Sequence, residues 1–130
     1  MQEFNISLTF GRELEGQLNA TSATAAVGKK QGQLRPYDMM LGALGACYYS
    51  TFVDIADKMR LEYEGADIAI HGVKRDEVPT TLKEVEMVFT IRGAKEEKGF
   101  QRAAELASKY CSVHATISRV ADIRLELRFS

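Results

Sequence analysis

Residues 36–56, PYDMMLGALGACYYSTFVDIA, set the architecture of this chain. Proline suits the first turn of a helix, because its missing N–H would have no partner there. From Met39 to Ala56 the stretch is apolar on almost every face, with Asp54 the main exception. Such a helix is either buried on all sides or crosses a membrane. The uncharged part, 39–53, is shorter than the roughly twenty residues that a span needs, so the pattern predicts a central core helix.

Three small residues in this helix, Gly42, Gly45 and Ala46, remove side-chain bulk, so that another backbone could pack closely. The chain has 130 residues, a length that fits one domain. We therefore predict a single domain over 1–130. A chain of this size can hardly surround a long, fully buried helix by itself, which favours a homodimer.

Apolar residues alternate with polar ones before and after the helix, as in half-buried strands. The clearest cases are the first strand, with apolar residues from Phe4 to Phe10, and the last, with apolar residues from Ile123 to Phe129. The predicted elements around the core helix are strands near 4–10, 14–20, 21–27, 68–73, 85–91 and 123–129, and a second helix over 95–111. Strands 68–73 and 85–91 form an antiparallel hairpin. The order predicts an α+β fold with antiparallel sheet wrapped on core helices.

The charge balance is even, with 17 basic and 18 acidic residues and a net charge of −1. We therefore expect neither nucleic acid nor an anionic membrane as a partner. Residues 1–5 have no basic region and no apolar core, so a secretory signal is not expected and a cytoplasmic protein is the default. In that compartment structural disulfides are rare, and cysteines more often serve packing, catalysis or metal binding.

Cys47 and Cys111 are the only cysteines, and each lies in or at the end of a predicted helix. A free cysteine can pack as a small hydrophobic residue, whereas two thiols that meet in the folded core could carry redox chemistry. A zinc site would need about four ligands at short local spacings. There is no CxxC motif, and only His71 and His114 could add ligands. We therefore expect no metal, and no motif indicates a cofactor.

A nucleophilic cysteine must be a thiolate, and its pKa falls near a cation or a helix N-terminus. Cys47 lies about three turns into its helix, so the dipole of that helix helps little. Arg12, in the first turn, and Arg35, just before the helix, are candidate cations, and a solvated arginine is the simpler interpretation of each. His114 is a further candidate, but a histidine entering a strand is more typically a polar boundary residue.

Two segments resemble the cysteine segments of the OsmC/Ohr family: RPYDMMLGALGAC at 35–47 and KYCSV at 109–113. Their interval and the strand order also agree, so the resemblance covers essentially the whole chain. It implies an intertwined homodimer in which sheets from both chains enclose two long helices. The well-studied branches of that family are thiol-dependent peroxidases that favour organic hydroperoxides.

The resemblance implies unequal roles for the cysteines. Cys47 would attack the peroxide and become a sulfenic acid, and Cys111 would condense with it to a disulfide, in the order of cysteine's oxidation ladder. An external dithiol, of lipoyl type in one branch, would reduce the pair. The family's activating arginine matches Arg12. Its glutamate partner is replaced by Tyr37, so the next residue, Asp38, is predicted to take that role.

The second segment reads CSV where the peroxidases usually have CP, and this too resembles a less characterised OsmC-like branch. Our first hypothesis is a peroxidase of oxidative stress defence. The alternative is a non-catalytic or redox-sensing dimer that binds an apolar small molecule among Met39, Met40 and Phe52, although core packing explains these residues equally well. A thiol hydrolase is a weaker third hypothesis, because no histidine has a motif context.

Overall fold

A computed structural model describes all residues, Met1–Ser130. The elements in chain order are β1 (Ser7–Phe10), β2 (Glu15–Asn19), β3 (Thr24–Gly28), α1 (Pro36–Lys58), β4 (Gly65–Lys74), β5 (Leu82–Arg92), α2 (Glu97–Tyr110), α3 (Ser112–Ser118) and β6 (Asp122–Phe129). The predicted α+β class is confirmed, and only the short helix α3 has no counterpart among the predicted elements. The chain forms two compact units, Met1–Gly42 and Ala43–Ser130.

The amino-terminal unit contains an antiparallel sheet in the order β1-β2-β3. The alternation of apolar residues placed β1 correctly, but the predicted half-burial is wrong for the single chain. Phe4 is 78% exposed, and Ile6, Leu8 and Phe10 are exposed as well. The pattern fixes which side chains share a face of the strand, whereas burial requires another element to cover that face.

The carboxy-terminal unit contains a second sheet in the order β4-β5-β6. Strands β4 and β5 form the predicted antiparallel hairpin. Strand β6 pairs with β5 in parallel, with Val85 opposite Ile123 and Phe89 opposite Leu127. The predicted all-antiparallel sheet is therefore wrong at this pair. Helices α2 and α3 connect the two strands as a crossover, and a crossover is the connection that parallel neighbours require.

An aromatic cluster forms the core of the carboxy-terminal unit. Phe52 of α1 meets Phe89 of β5 edge-on, with ring centroids 4.8 Å apart, and it stacks on Phe100 of α2 at 6.4 Å. The buried Tyr48 hydroxyl donates a hydrogen bond to the Ala104 carbonyl at 2.9 Å. These contacts fix this part of α1 against the sheet and α2, and so fix the position of Cys47, the residue before Tyr48.

Helix α1 is buried along one stripe only, which comprises Leu44, Gly45, Tyr48, Phe52 and Ala56. A Cβ at Gly45 would lie 3.0 Å from the Cδ1 atom of Ile70, so the close packing expected at this glycine occurs against a side chain of β4. Gly42 and Ala46 are exposed. By length and composition alone α1 could cross a membrane, a test that the core helix of a soluble protein also passes.

Candidate active site

Cys47 projects from α1 toward the junction between α2 and α3. Its thiol is partly exposed, and its Sγ atom lies 3.7 Å from the Oγ atom of Ser112. The backbone N–H groups of Ser112 and Val113 are also among the groups that lower the pKa of this thiol. These are the first two residues of α3, and the first N–H groups of a helix have no intrahelical acceptor. The sulfur of Cys47 thus lies beside the start of a helix whose first N–H groups lack intrahelical partners.

Cys111 is the single residue between α2 and α3, and its side chain is fully buried. Its backbone is extended, with φ −68° and ψ 119°, which interrupts the helical path. Its N–H donates to the Ala107 carbonyl at 2.9 Å, and its Sγ atom accepts from the backbone N–H of His114 at 3.4 Å. Cys111 therefore closes α2 and caps α3 at the same time.

The surroundings of Cys47 favour its thiolate. Burial would raise the pKa of Cys47, but hydrogen bonds outweigh burial and hold that pKa below its ordinary value. The donors are the backbone N–H of Val113, the thiol of Cys111, and both the hydroxyl and the backbone N–H of Ser112. Hydrogen bonds to the charged form of a group favour that form.

The surroundings of Cys111 favour its neutral thiol. Burial raises the pKa of Cys111, and the neighbouring Cys47 raises it further, while the backbone N–H of His114 opposes both effects. Two interacting thiols lose their protons in two separate steps. Here the Cys47 side ionises first, and the Cys111 thiol remains the donor between them. The two free cysteines are therefore close neighbours with opposite preferences.

The other two predicted site residues belong to the amino-terminal unit. Arg12 lies in the exposed bend after β1, and no ion pair of the chain includes it. Asp38 lies in the first turn of α1 and binds Arg35. The Nε and Nη2 atoms of Arg35 each lie 3.0 Å from a carboxylate oxygen of Asp38, and the Arg35 backbone N–H donates at 2.8 Å.

The pairing gives Asp38 a local role. It reaches back from the third helical position to the N–H that precedes the helix, as the acidic residue of a capping box does. The same contacts hold the pKa of Asp38 below its ordinary value. Arg35, the second candidate cation, is thereby already paired with a carboxylate.

Sequence reasoning missed Ser112 and Val113, and it placed His114 at the start of a strand. His114 lies in α3, where its backbone N–H contacts Cys111. Burial lowers the pKa of its half-buried imidazole. No group of three His, Cys, Asp or Glu side chains is placed to hold a metal ion. The site consists of two thiols, one hydroxyl and backbone amides.

A sequence model of OsmC-like proteins matches residues 28–126, which include both cysteines. This chain belongs to the OsmC-like family. The resemblance carried by the two cysteine segments is thereby confirmed. Protein YhfA of Escherichia coli K12 is a relative in sequence, 28% identical over 90 residues, which cover 68% of this chain and 67% of YhfA.

Solved structures share the OsmC-like fold over nearly the whole chain. A hypothetical protein from Aquifex aeolicus VF5 superposes with a TM-score of 0.86 and 26% identity, covering 100% of this chain and 99% of that one. An organic hydroperoxide resistance protein OsmC from Legionella pneumophila superposes with a TM-score of 0.78 and covers 98% of both chains. At 14% identity the second likeness shows the fold alone.

Proposed function

We propose that this protein is a thiol-dependent peroxidase that reduces organic hydroperoxides in oxidative stress defence, with Cys47 as the attacking and Cys111 as the resolving cysteine. One observation carries the proposal: two free thiols are neighbours, and their surroundings lower the pKa of the partly exposed Cys47 and raise the pKa of the buried Cys111. The thiolate is the nucleophilic form of cysteine. The hydroperoxide resistance protein of the same fold agrees with this reaction class.

The reaction has three balanced steps. The Cys47 thiolate attacks the terminal peroxide oxygen, so that an S–O bond forms, the O–O bond breaks, and the leaving alkoxide takes a proton from water to become an alcohol. The Cys111 thiol then attacks the sulfenic sulfur of Cys47, which forms the disulfide and releases water. An external dithiol, of the lipoyl type that one branch of the family uses, reduces the disulfide by exchange through a mixed disulfide and is itself oxidised.

Arg12 and Asp38 complete the proposed site. The exposed, unpaired guanidinium of Arg12 is suited to stabilise the thiolate and the developing alkoxide, as the family resemblance implies. Asp38 binds Arg35 within the single chain, so it would have to exchange that partner in order to pair with Arg12. Arg12→Ala and Arg35→Ala can be compared for the rate of peroxide reduction, and only the first should slow it severely.

The protein is proposed to act as a cytoplasmic homodimer. The single chain leaves large apolar side chains of β1 exposed, together with Leu34 and Met40 near the start of α1. Large apolar side chains left exposed in this number favour an association site, and a second copy of the chain is the partner that the resemblance implies. Light scattering coupled to size exclusion would contradict the proposal if the protein stayed monomeric at micromolar concentration.

Intact mass after one equivalent of cumene hydroperoxide tests the reaction. The expected result is the loss of two hydrogens in the wild type, a sulfenic or overoxidised adduct in Cys111→Ser, and no change in Cys47→Ser. Steady turnover with dihydrolipoamide should then disappear in Cys47→Ser. An unchanged wild-type mass would refute the peroxidase, and an apolar ligand retained in native mass spectrometry would then favour the binding protein.

A further inference from the structure

Ser112 is the one polar side chain in contact with the sulfur of Cys47 other than Cys111. Its Oγ atom lies 3.7 Å from Sγ, and both its hydroxyl and its backbone N–H are among the groups that lower the pKa of Cys47. The side chain is exposed. Ser112 is also the first residue of α3, directly after the cap residue Cys111, so its position is fixed by the helix that it begins.

We propose that the Ser112 hydroxyl is a catalytic hydrogen-bond donor that stabilises the Cys47 thiolate and thereby sets the pH range in which this cysteine reacts. The inference deepens the proposed function and rests on the reactivity of Cys47. A thiolate has only acceptor capacity, so the hydroxyl must act as the donor once Cys47 is ionised. The amide of the same residue also favours the charged form of the sulfur.

A purely structural role for the hydroxyl has little support. The first position of a helix is not the capping position, and in α3 the cap is the sulfur of Cys111, which accepts from the backbone N–H of His114. Cys47 is the only side-chain partner of the Ser112 hydroxyl. The carbonyl of Ser112 accepts from the Thr116 hydroxyl, a contact that substitutions of the Ser112 side chain leave intact.

The chain allows a graded set of variants at this position. Ser112→Ala removes the hydroxyl and keeps the amide, and Ser112→Thr keeps both donors. Ser112→Pro removes both, and proline is well tolerated at the first helical position. The preceding residue, Cys111, already has the extended backbone that a following proline requires. Ser118→Ala is the matched control, since Ser118 lies at the other end of α3 and donates only to the Ala115 carbonyl.

The test is the rate of Cys47 alkylation by iodoacetamide against pH, followed by peptide mass spectrometry. It requires no peroxide, so its failure is distinct from that of the proposed function. The Ser112 hydroxyl would donate to a charged sulfur, and in Ser112→Ala water can replace part of that hydrogen bond. We therefore expect Cys47 of Ser112→Ala to be alkylated about three- to tenfold more slowly at pH values below the Cys47 pKa. The rate should be little changed at high pH.

Ser112→Pro should be slower still, and Ser112→Thr and Ser118→Ala should follow the wild-type curve. A Ser112→Ala curve that superposes on the wild type would overturn the proposal. So would an equal slowing in Ser118→Ala, because that would trace the effect to α3 as a whole. The rate of Cys47 oxidation by cumene hydroperoxide should fall by the same factor at low pH, and an unchanged rate would remove Ser112 from the catalytic groups.

Discussion

Replacing Cys111 by alanine should make Cys47 a weaker acid. The Cys111 thiol is one of the donors that hold the pKa of Cys47 below its ordinary value. Hydrogen bonds to charged groups contribute about 1.5–3 kcal/mol. Because a thiol is a weak donor, we expect the Cys47 thiolate to lose about 1 kcal/mol of stabilisation. At about 1.4 kcal/mol per factor of ten, the thiolate fraction of Cys47 falls about fivefold at pH values below its pKa.

The assay is the pH profile of Cys47 alkylation in Cys111→Ala, with the wild type beside it. The profile should move to higher pH, because the thiolate has lost a stabilising donor. A profile that stays in place, or that moves to lower pH, would refute the view that the Cys111 thiol donates to Cys47.

Cys111→Ser keeps both a donor and a helix cap at this position, unlike Cys111→Ala. Cys111 also accepts from the backbone N–H of His114, and losing this cap could loosen the amides that α3 directs at Cys47. Serine is a good cap residue and retains a donor, so the acidity of Cys47 in this variant should lie between those of the wild type and Cys111→Ala. In one outcome, Cys111→Ala and Cys111→Ser lower the acidity of Cys47 equally while only the alanine variant loses stability to urea. That outcome would show that the helix cap does not affect the acidity of Cys47.

Three further predictions concern stability and the start of α1. Tyr48→Phe removes the hydroxyl that donates to Ala104 and should cost about 1 kcal/mol in urea unfolding; no measurable loss would contradict the buried bond. Phe52→Ala empties the centre of the aromatic cluster and should cost about 3–5 kcal/mol, whereas a loss typical of a surface residue would place Phe52 outside the core. Asp38→Ala should lower the free energy of unfolding at pH values above the ordinary pKa range of aspartate. This difference from the wild type should shrink as the pH falls, because Arg35 depresses the pKa of Asp38 in the folded state. A difference in unfolding free energy that did not change with pH would contradict the ion pair.

The elements with a strong local signal could be predicted from the sequence. Pro36 and the apolar residues that follow it predicted the start and length of α1. The strict alternation of apolar and polar residues predicted β5 and β6. The parallel pairing of β5 with β6 could not be predicted in this way, because alternation defines the faces of a strand and not the direction of its neighbour. The prediction that β1 is half-buried failed for a similar reason, because burial depends on which element covers the strand.

Helix α3 could not be predicted because its residues favour another structure. Val113, Thr116 and Ile117 are β-branched and typical of strands, and a cysteine is an unusual helix cap. The helix exists because Cys111 closes α2 and caps the next turn in one step. The two cysteines could be named from their segments, but the groups that make Cys47 acidic come from α3 and were therefore missed.

The break at Cys111 explains why the two sulfurs differ. In a continuous helix the N–H of Ser112 would bond to the carbonyl of residue 108, and that of Val113 to the carbonyl of residue 109. The extended backbone of Cys111 interrupts this pattern, and both N–H groups help to lower the pKa of Cys47. The Cys111 side chain at the break is fully buried, and burial makes its ionisation unfavourable. The same change of backbone path therefore accompanies the lowered pKa of Cys47 and the raised pKa of Cys111.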